Sequence, residues 1–182
     1  PVPASGDAAA QQRSARVTEI PVEMELLLAP EADHLDVRLT FTNTAEDHRL
    51  RWNFPLPSKM PSSTAGLKFD CVERSAGSTP KGTTAPRVHP EHPADCFVAA
   101  GGLAVFSAFP VNYELVADGA RQRLAITVLR SVGWLCRPEP LTTRGNANAG
   151  PHTSVPEAQC LGRTFTMHFA VRPYDADEAA RL

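Results

Sequence analysis

Along most of this chain apolar residues return at every second position. Val22, Met24, Leu26 and Leu28 alternate with Glu23, Glu25 and Leu27, and Leu35, Val37, Leu39 and Phe41 alternate with Asp36, Arg38, Thr40 and Thr42. A period of two sends alternate side chains to opposite faces of an extended backbone, so both segments predict half-buried strands. The intervening APEADH carries Pro30 and a charged cluster, which predicts a hairpin loop. The apolar stretch 50–56, with Trp52 and Phe54, predicts a third strand that stops at Pro55, because proline donates nothing to a ladder. Short strands are predicted again at 103–106, 113–116 and 124–129, the last two joined by a turn at Asp118 and Gly119. Phe165, Met167, Phe169 and Val171 resume the alternation. Residues 57–68 and 75–95 hold much of the chain's Pro, Ser, Thr and Gly and predict long surface loops, with KFDCVER the one strand-like island between them.

No stretch of any length carries the helical period. With 17 prolines and 11 glycines, eight or so short strands predict an all-β fold, a β-sandwich of two packed, mainly antiparallel sheets with long loops and little helix. The first 16 residues are small and polar and predict a disordered arm or linker, 17–174 the sandwich, and 175–182 the start of a helix or a tail, with Asp175 or Asp177 as its N-cap. There is no internal repeat.

Composition narrows the function classes. At 182 residues and 42% hydrophobic, the chain can bury one core without staples. Eighteen Lys and Arg against 20 Asp and Glu leave a net charge of -2, which supplies no field for nucleic acid or an anionic membrane, so neither is expected as a partner. No apolar run reaches the roughly 18 residues of a membrane span, and PVPASGDAAAQQRSAR lacks a basic-then-apolar signal pattern, so a cytoplasmic location is expected. The chain begins without Met, which suggests a piece of something longer. Cys71, Cys96, Cys136 and Cys160 are spaced too widely for paired metal knuckles, and free buried thiols are expected rather than disulfides.

Candidate chemistry is sparse. Of His34, His48, His89, His92, His152 and His168 only HPEH brings two close together, in a Pro-rich loop that makes a poor metal scaffold. Among Asp70, Glu73, Glu114, Asp118 and Glu157 no spacing selects an acid–base pair for glycosidic chemistry. GNANAG lacks the Lys of a phosphate loop and reads as a turn. Polar residues crowd two places: Asp47, His48, Arg49 and Arg51 before a strand, and Arg130, Arg137 and Arg144 around Trp134. An arginine beside an aromatic ring either holds a sugar or carboxylate by paired hydrogen bonds or pins two loops together.

Four blocks add to this reading. NTAEDHRLRWNFP at 43–55, LAVFSAFPVNYEL at 103–115, ITVLRSVGWLCR at 126–137 and AGPHTSVPEAQCLG at 149–162 resemble, in order and spacing, the carboxy-terminal β region of bacterial α-mannosidases of glycoside hydrolase family 38. The resemblance covers residues 17–174. It departs at AFPVNYEL, where the family commonly writes Gly-Leu-Pro-Glu-Tyr-Glu: Asn112 replaces one acid and Glu114 keeps the other.

The resemblance implies a support module of a retaining α-mannosidase acting on mannosyl-glycerate or short mannosides. The divalent metal, usually zinc, and the aspartate nucleophile of that family belong to an amino-terminal catalytic domain, so this chain should hold no catalytic residue, metal or other cofactor of its own. Its partners would be that domain in the same parent chain and, through it, the mannoside; a homo-oligomer is compatible with the reading. Asp47, His48, Arg49 and Arg51, with Arg144 and Gln159, are expected on the face that meets the catalytic domain or on the rim of its sugar site. Two other readings stand beside it. One is a free-standing carbohydrate-binding sandwich using an exposed Trp134 or Tyr113 as a stacking platform; the other is a purely structural interaction module.

Overall fold

Strands form where the alternation predicts them and in three places where it does not. The computed structural model describes residues 17–76, 91–134 and 153–174. Its strands are β1 Val22–Leu27, β2 Leu35–Thr42, β3 His48–Leu56, β4 Ser62–Gly66, β5 Cys71–Ser75, β6 Glu91–Ala94, β7 Phe97–Ala100, β8 Leu103–Ser107, β9 Val111–Asp118, β10 Arg121–Ser131 and β11 Thr164–Pro173. The one helical element among the described residues is a 3-10 turn, Pro156–Gln159. The strands make a sandwich of two antiparallel sheets, one ordered β1-β2-β11-β8-β7-β4-β5 and the other β3-β10-β9-β6. No helix among the described residues is long and apolar enough to cross a membrane.

The departures have physical reasons. β1 has the expected alternation, yet every one of its residues is exposed rather than half-buried. β3 runs through Pro55 to Leu56 instead of stopping there, and can do so because it is the last strand of its sheet, where a missing donor breaks no ladder on the open side. β6 tolerates Pro93 for the same reason, at the other end of the sheet. β4 lies inside the expected 57–68 loop. It is a run of small residues without apolar alternation, but its place between β5 and β7 buries Ala65 completely. β7, FVAA, is buried at all four positions and so shows no alternation either. The arm at 1–16, residues 77–90 of the second loop and the helix start at 175–182 lie outside the described residues.

The chain divides into two compact units. The larger takes Met24–Leu39, Arg51–Val128 and Met167–Leu182. Within it, the register Ala65↔Val98↔Val105↔Val171 lays one apolar row across β4, β7, β8 and β11. β9 and β10 supply Tyr113↔Ile126 and Leu115↔Leu124. The two layers meet where the Ser63 hydroxyl sits 3.1 Å from the Tyr113 hydroxyl, both residues being buried. Trp52 meets Phe169 edge-on at 5.2 Å, and Phe109 meets the same ring at 5.3 Å. On the opposite face of β7 and β8, Phe97, Ala99 and Ala104 are buried beneath Phe106 and Tyr174. The smaller unit takes Pro1–Glu23, Thr40–Leu50 and Leu129–Thr166. There Phe41 stacks on Phe165 at 5.4 Å, the Arg163 guanidinium lies over the Phe165 ring, and Thr42 and Thr164 share a 2.8 Å hydrogen bond.

Candidate functional site

The polar crowd at 47–51 is divided by the alternation of β3. Asp47 precedes the strand with φ 49°, a left-handed backbone that aims its amide and carboxylate at the 3-10 turn. That turn opens on Pro156, whose missing donor costs nothing there, and closes on Cys160 in the left-handed region, with the Cys160 amide donating to the Glu157 carbonyl. Gln159, at its end, is buried and faces Asp47. The Asp47 amide donates to Gln159 Oε1 at 2.9 Å, and Gln159 Nε2 donates to Asp47 Oδ1 at 2.8 Å.

Two further buried polar residues complete the knot. Asn43 Nδ2 donates to the Gln159 carbonyl at 2.7 Å, while Asn43 Oδ1 accepts from the Ala45 amide at 3.2 Å. Ser131 Oγ stands 2.8 Å from both the Gln159 carbonyl and Oε1 and 3.3 Å from the Ala45 carbonyl. A hydroxyl has one proton, so only one of these acceptors is served at a time, and its lone pairs can take the Asn43 amide at 3.4 Å. Gly133 is part of the same device: a Cβ there would come within 2.8 Å of Gln159 Nε2. The arrangement holds a turn against two strand ends.

Asn43 and Ser131 were missed as members of this group. The signal lay in the alternation: Asn43 continues the buried series Val37, Leu39, Phe41, and Ser131 follows Leu129 on the same face. A polar residue at a position the period assigns to the core must find partners inside.

His48 follows Asp47 in the smaller unit. Both of its ring nitrogens are buried without a hydrogen-bond partner of ordinary geometry, and burial holds its pKa below the usual histidine value, against the opposing pull of the Ala45 and Glu46 backbone and the Asp47 charge. Arg49 is exposed. Arg51, in the larger unit, points its Nη1 at Glu114 Oε2, 2.8 Å away, with about a fifth of each side chain exposed (19% and 18%). The β6–β9 register sets Glu91 directly opposite Glu114, and Glu91 Oε1 accepts from Thr127 Oγ1 at 2.8 Å. Both carboxylates are thus braced by neighbours on one face of the four-stranded sheet. Arg144 lies outside the described residues, as do Arg137, Cys136, His89 and His152.

The remaining candidates disperse. Asp70 accepts from the Cys71 amide, Asp118 faces Arg123 at 3.6 Å, and His34 pairs with Asp33, whose hydrogen bond raises the exposed ring's pKa. His92 lies against the Tyr113 ring at 5.9 Å, its pKa lowered by burial and then by the Arg74 charge. Tyr113 is wholly buried and offers no stacking face; Trp134 is half-buried and bridges to Ser154. Cys71, Cys96 and Cys160 are free thiols, the first two exposed rather than buried. Among the described residues no three His, Cys, Asp or Glu side chains converge on a point that could hold a metal ion, so these residues do not fit a metal centre.

No protein-family profile matches the chain. A protein of Halalkalibacterium halodurans named "Putative mannosylglycerate hydrolase" is 31% identical over 166 residues, which are 91% of this chain and 17% of that protein. The fold recurs in a glycosyl hydrolase family 38 protein from Enterococcus faecalis, with TM-score 0.64 at 23% identity over 90% of this chain. It recurs also in an α-mannosidase from Enterococcus faecalis V583, with TM-score 0.70 at 24% identity over 92%. The chain is related to a β-rich segment of family 38 glycoside hydrolases. It spans 17% of the length of each of these proteins, each of which is therefore about six times as long as this chain. Asn43, Asp47, Ser131 and Gln159 all fall within the blocks that carry the family resemblance.

Proposed function

We propose that this chain is the carboxy-terminal β-sandwich of a retaining α-mannosidase and braces a metal-dependent catalytic domain that lies earlier in the same polypeptide. The observation that carries the reading is the match of 166 residues, at 31% identity, to only 17% of a protein named for mannosylglycerate hydrolysis. Mannosylglycerate or a short mannoside is then the substrate of the whole protein, zinc its metal and the cytoplasm its compartment, with assembly of several copies compatible. In this reading Asp47 and Gln159 act indirectly, by pinning the 3-10 turn to the start of β3, while His48, Arg49 and Arg144 belong to the face that meets the catalytic domain or the rim of its sugar site.

Mutation of the two β3 arginines tests it. Arg49 is exposed, where local pairings contribute under ~1 kcal/mol, so Arg49→Ala should leave the melting temperature of the 182-residue chain nearly unchanged. In the complete enzyme the same change should lower α-mannoside hydrolysis about tenfold, equivalent to ~1.4 kcal/mol of transition-state stabilisation. Arg51→Ala removes the partner of half-buried Glu114 and should cost the chain itself on the order of 1 kcal/mol. Hydrolysis of an aryl α-mannoside by the 182-residue chain alone, or a complete protein inactive on mannosides with zinc supplied, would overturn the assignment.

A further inference from the structure

Eight large apolar side chains stand exposed among the described residues, and six of them, Val17, Val22, Met24, Leu26, Leu27 and Leu28, fall in one short stretch. β1 ends the seven-stranded sheet, beside β2. Glu25 pairs with Arg38, so these two side chains share a face, and the alternation puts Met24 and Leu26 on the other face with Val37 and Leu39. On β2 that face is buried, with Val37 at 2% and Leu39 at 3% exposure; on β1 it is open, with Met24 at 45% and Leu26 at 58%. The apolar row of the sheet therefore continues one strand beyond whatever covers it. Leu28, at 68%, extends it past the strand end. A contiguous apolar surface of this kind on an edge strand marks an interface, because left open it invites aggregation.

We propose that Met24, Leu26 and Leu28 are the docking face for an apolar surface from elsewhere in the same polypeptide, the remainder of the family 38 protein. This rests on the reading above. The occupant follows from two observations. The related proteins carry this sandwich as 17% of their length, so a covering segment tethered in the same chain is present at high effective concentration. Edge pairing with a second copy in the register centred on Met24 fits poorly: it aligns Val22 with Leu26 but also sets Glu23 opposite Glu25 twice, and like charges directly opposite are destabilising.

Methionine oxidation reads this face without reference to activity. The 182-residue chain and the complete product of its reading frame are treated with dilute hydrogen peroxide and analysed by peptide mass spectrometry. Met24 is exposed while Met60 and Met167 are half-buried, so in the chain alone Met24 should oxidise first. In the complete product it should become the slowest of the three, falling about tenfold relative to the chain. Leu26→Lys should restore its reactivity and leave Met60 unchanged; if all three methionines react, the variant has unfolded, and Leu28→Lys, beyond the strand end, takes its place. Equal Met24 rates in both proteins, or a reading frame that adds no further chain, overturns the proposal. Protection that appears in the 182-residue chain on concentration, and is lost in Leu26→Lys, overturns it in favour of a second copy. Mannoside hydrolysis by the same samples separates the two readings: protection without hydrolysis sinks the activity and keeps the docking face, and hydrolysis without protection does the reverse.

Discussion

Replacing Gln159 by Glu alters the knot at a single atom. The variant keeps the shape of a side chain that is 8% exposed, keeps Oε1 as acceptor for the Asp47 amide and for Ser131, and turns the donor Nε2 into an oxygen 2.8 Å from Asp47 Oδ1. Two terms follow. Loss of a hydrogen bond to a charged group costs about 1.5–3 kcal/mol. Two carboxylate charges ~4 Å apart repel by up to ~4 kcal/mol at an effective dielectric of ~20, part of which the side chains relieve by turning away. The sum at neutral pH should be about 3–5 kcal/mol, a large fraction of the stability of a domain this size. Protonation of the introduced carboxyl restores a donor, so the folded variant binds a proton more tightly than the unfolded chain does. The deficit relative to wild type must then shrink as pH falls towards the ordinary glutamate value of ~4.3. Urea unfolding of wild type and Gln159→Glu at pH 7.5 and pH 5 measures both effects. A midpoint matching wild type at both values, or a loss that does not shrink at pH 5, would show that the Asp47–Gln159 pair is solvated and not structural.

Gly66→Ala should destabilise the chain by about 1–3 kcal/mol, because the new Cβ would stand 2.4 Å from Cys96 Sγ, an exposed thiol that can turn aside, and 2.6 Å from the ring of Phe97, which is buried in β7 and cannot; a melting temperature within a degree of wild type would refute this. His48 and His92 both have pKa values lowered by burial, so below about pH 6.5 the unfolded chain takes protons that the folded rings refuse, and the contribution of these two rings to stability falls as pH drops, opposite in sign to that of His34. His48→Phe should flatten that part of the profile, measured as the difference in urea midpoint between pH 7.5 and pH 5.5; an unchanged difference would show that the ring titrates freely in the folded state.

Much of the fold is written locally. The alternation in 35–42, 124–129 and 165–171 determines strands by itself, because a period of two has one consistent use, a sheet with unlike faces. The abundance of proline and the absence of a helical period determine the class for the same reason. Family kinship was legible as well, since its blocks are sequence patterns. Burial was not. β1 and β2 carry the same alternation, yet one is open and the other closed, because exposure depends on what lies across the sheet and not on the strand. β4 and β7 became strands only because their neighbours pair with them on both sides. The polar knot is the clearest case. Asn43 stands 88 residues from Ser131 and 116 from Gln159, and none of the three suggests the others until the ends of β2 and β10 and the 3-10 turn converge. Charge could select Asp47, Arg49 and Arg51 as a group, but tertiary structure alone decided that Asp47 turns to Gln159 and Arg51 to Glu114, since a buried hydrogen-bonding group takes whichever partner the packing brings within reach.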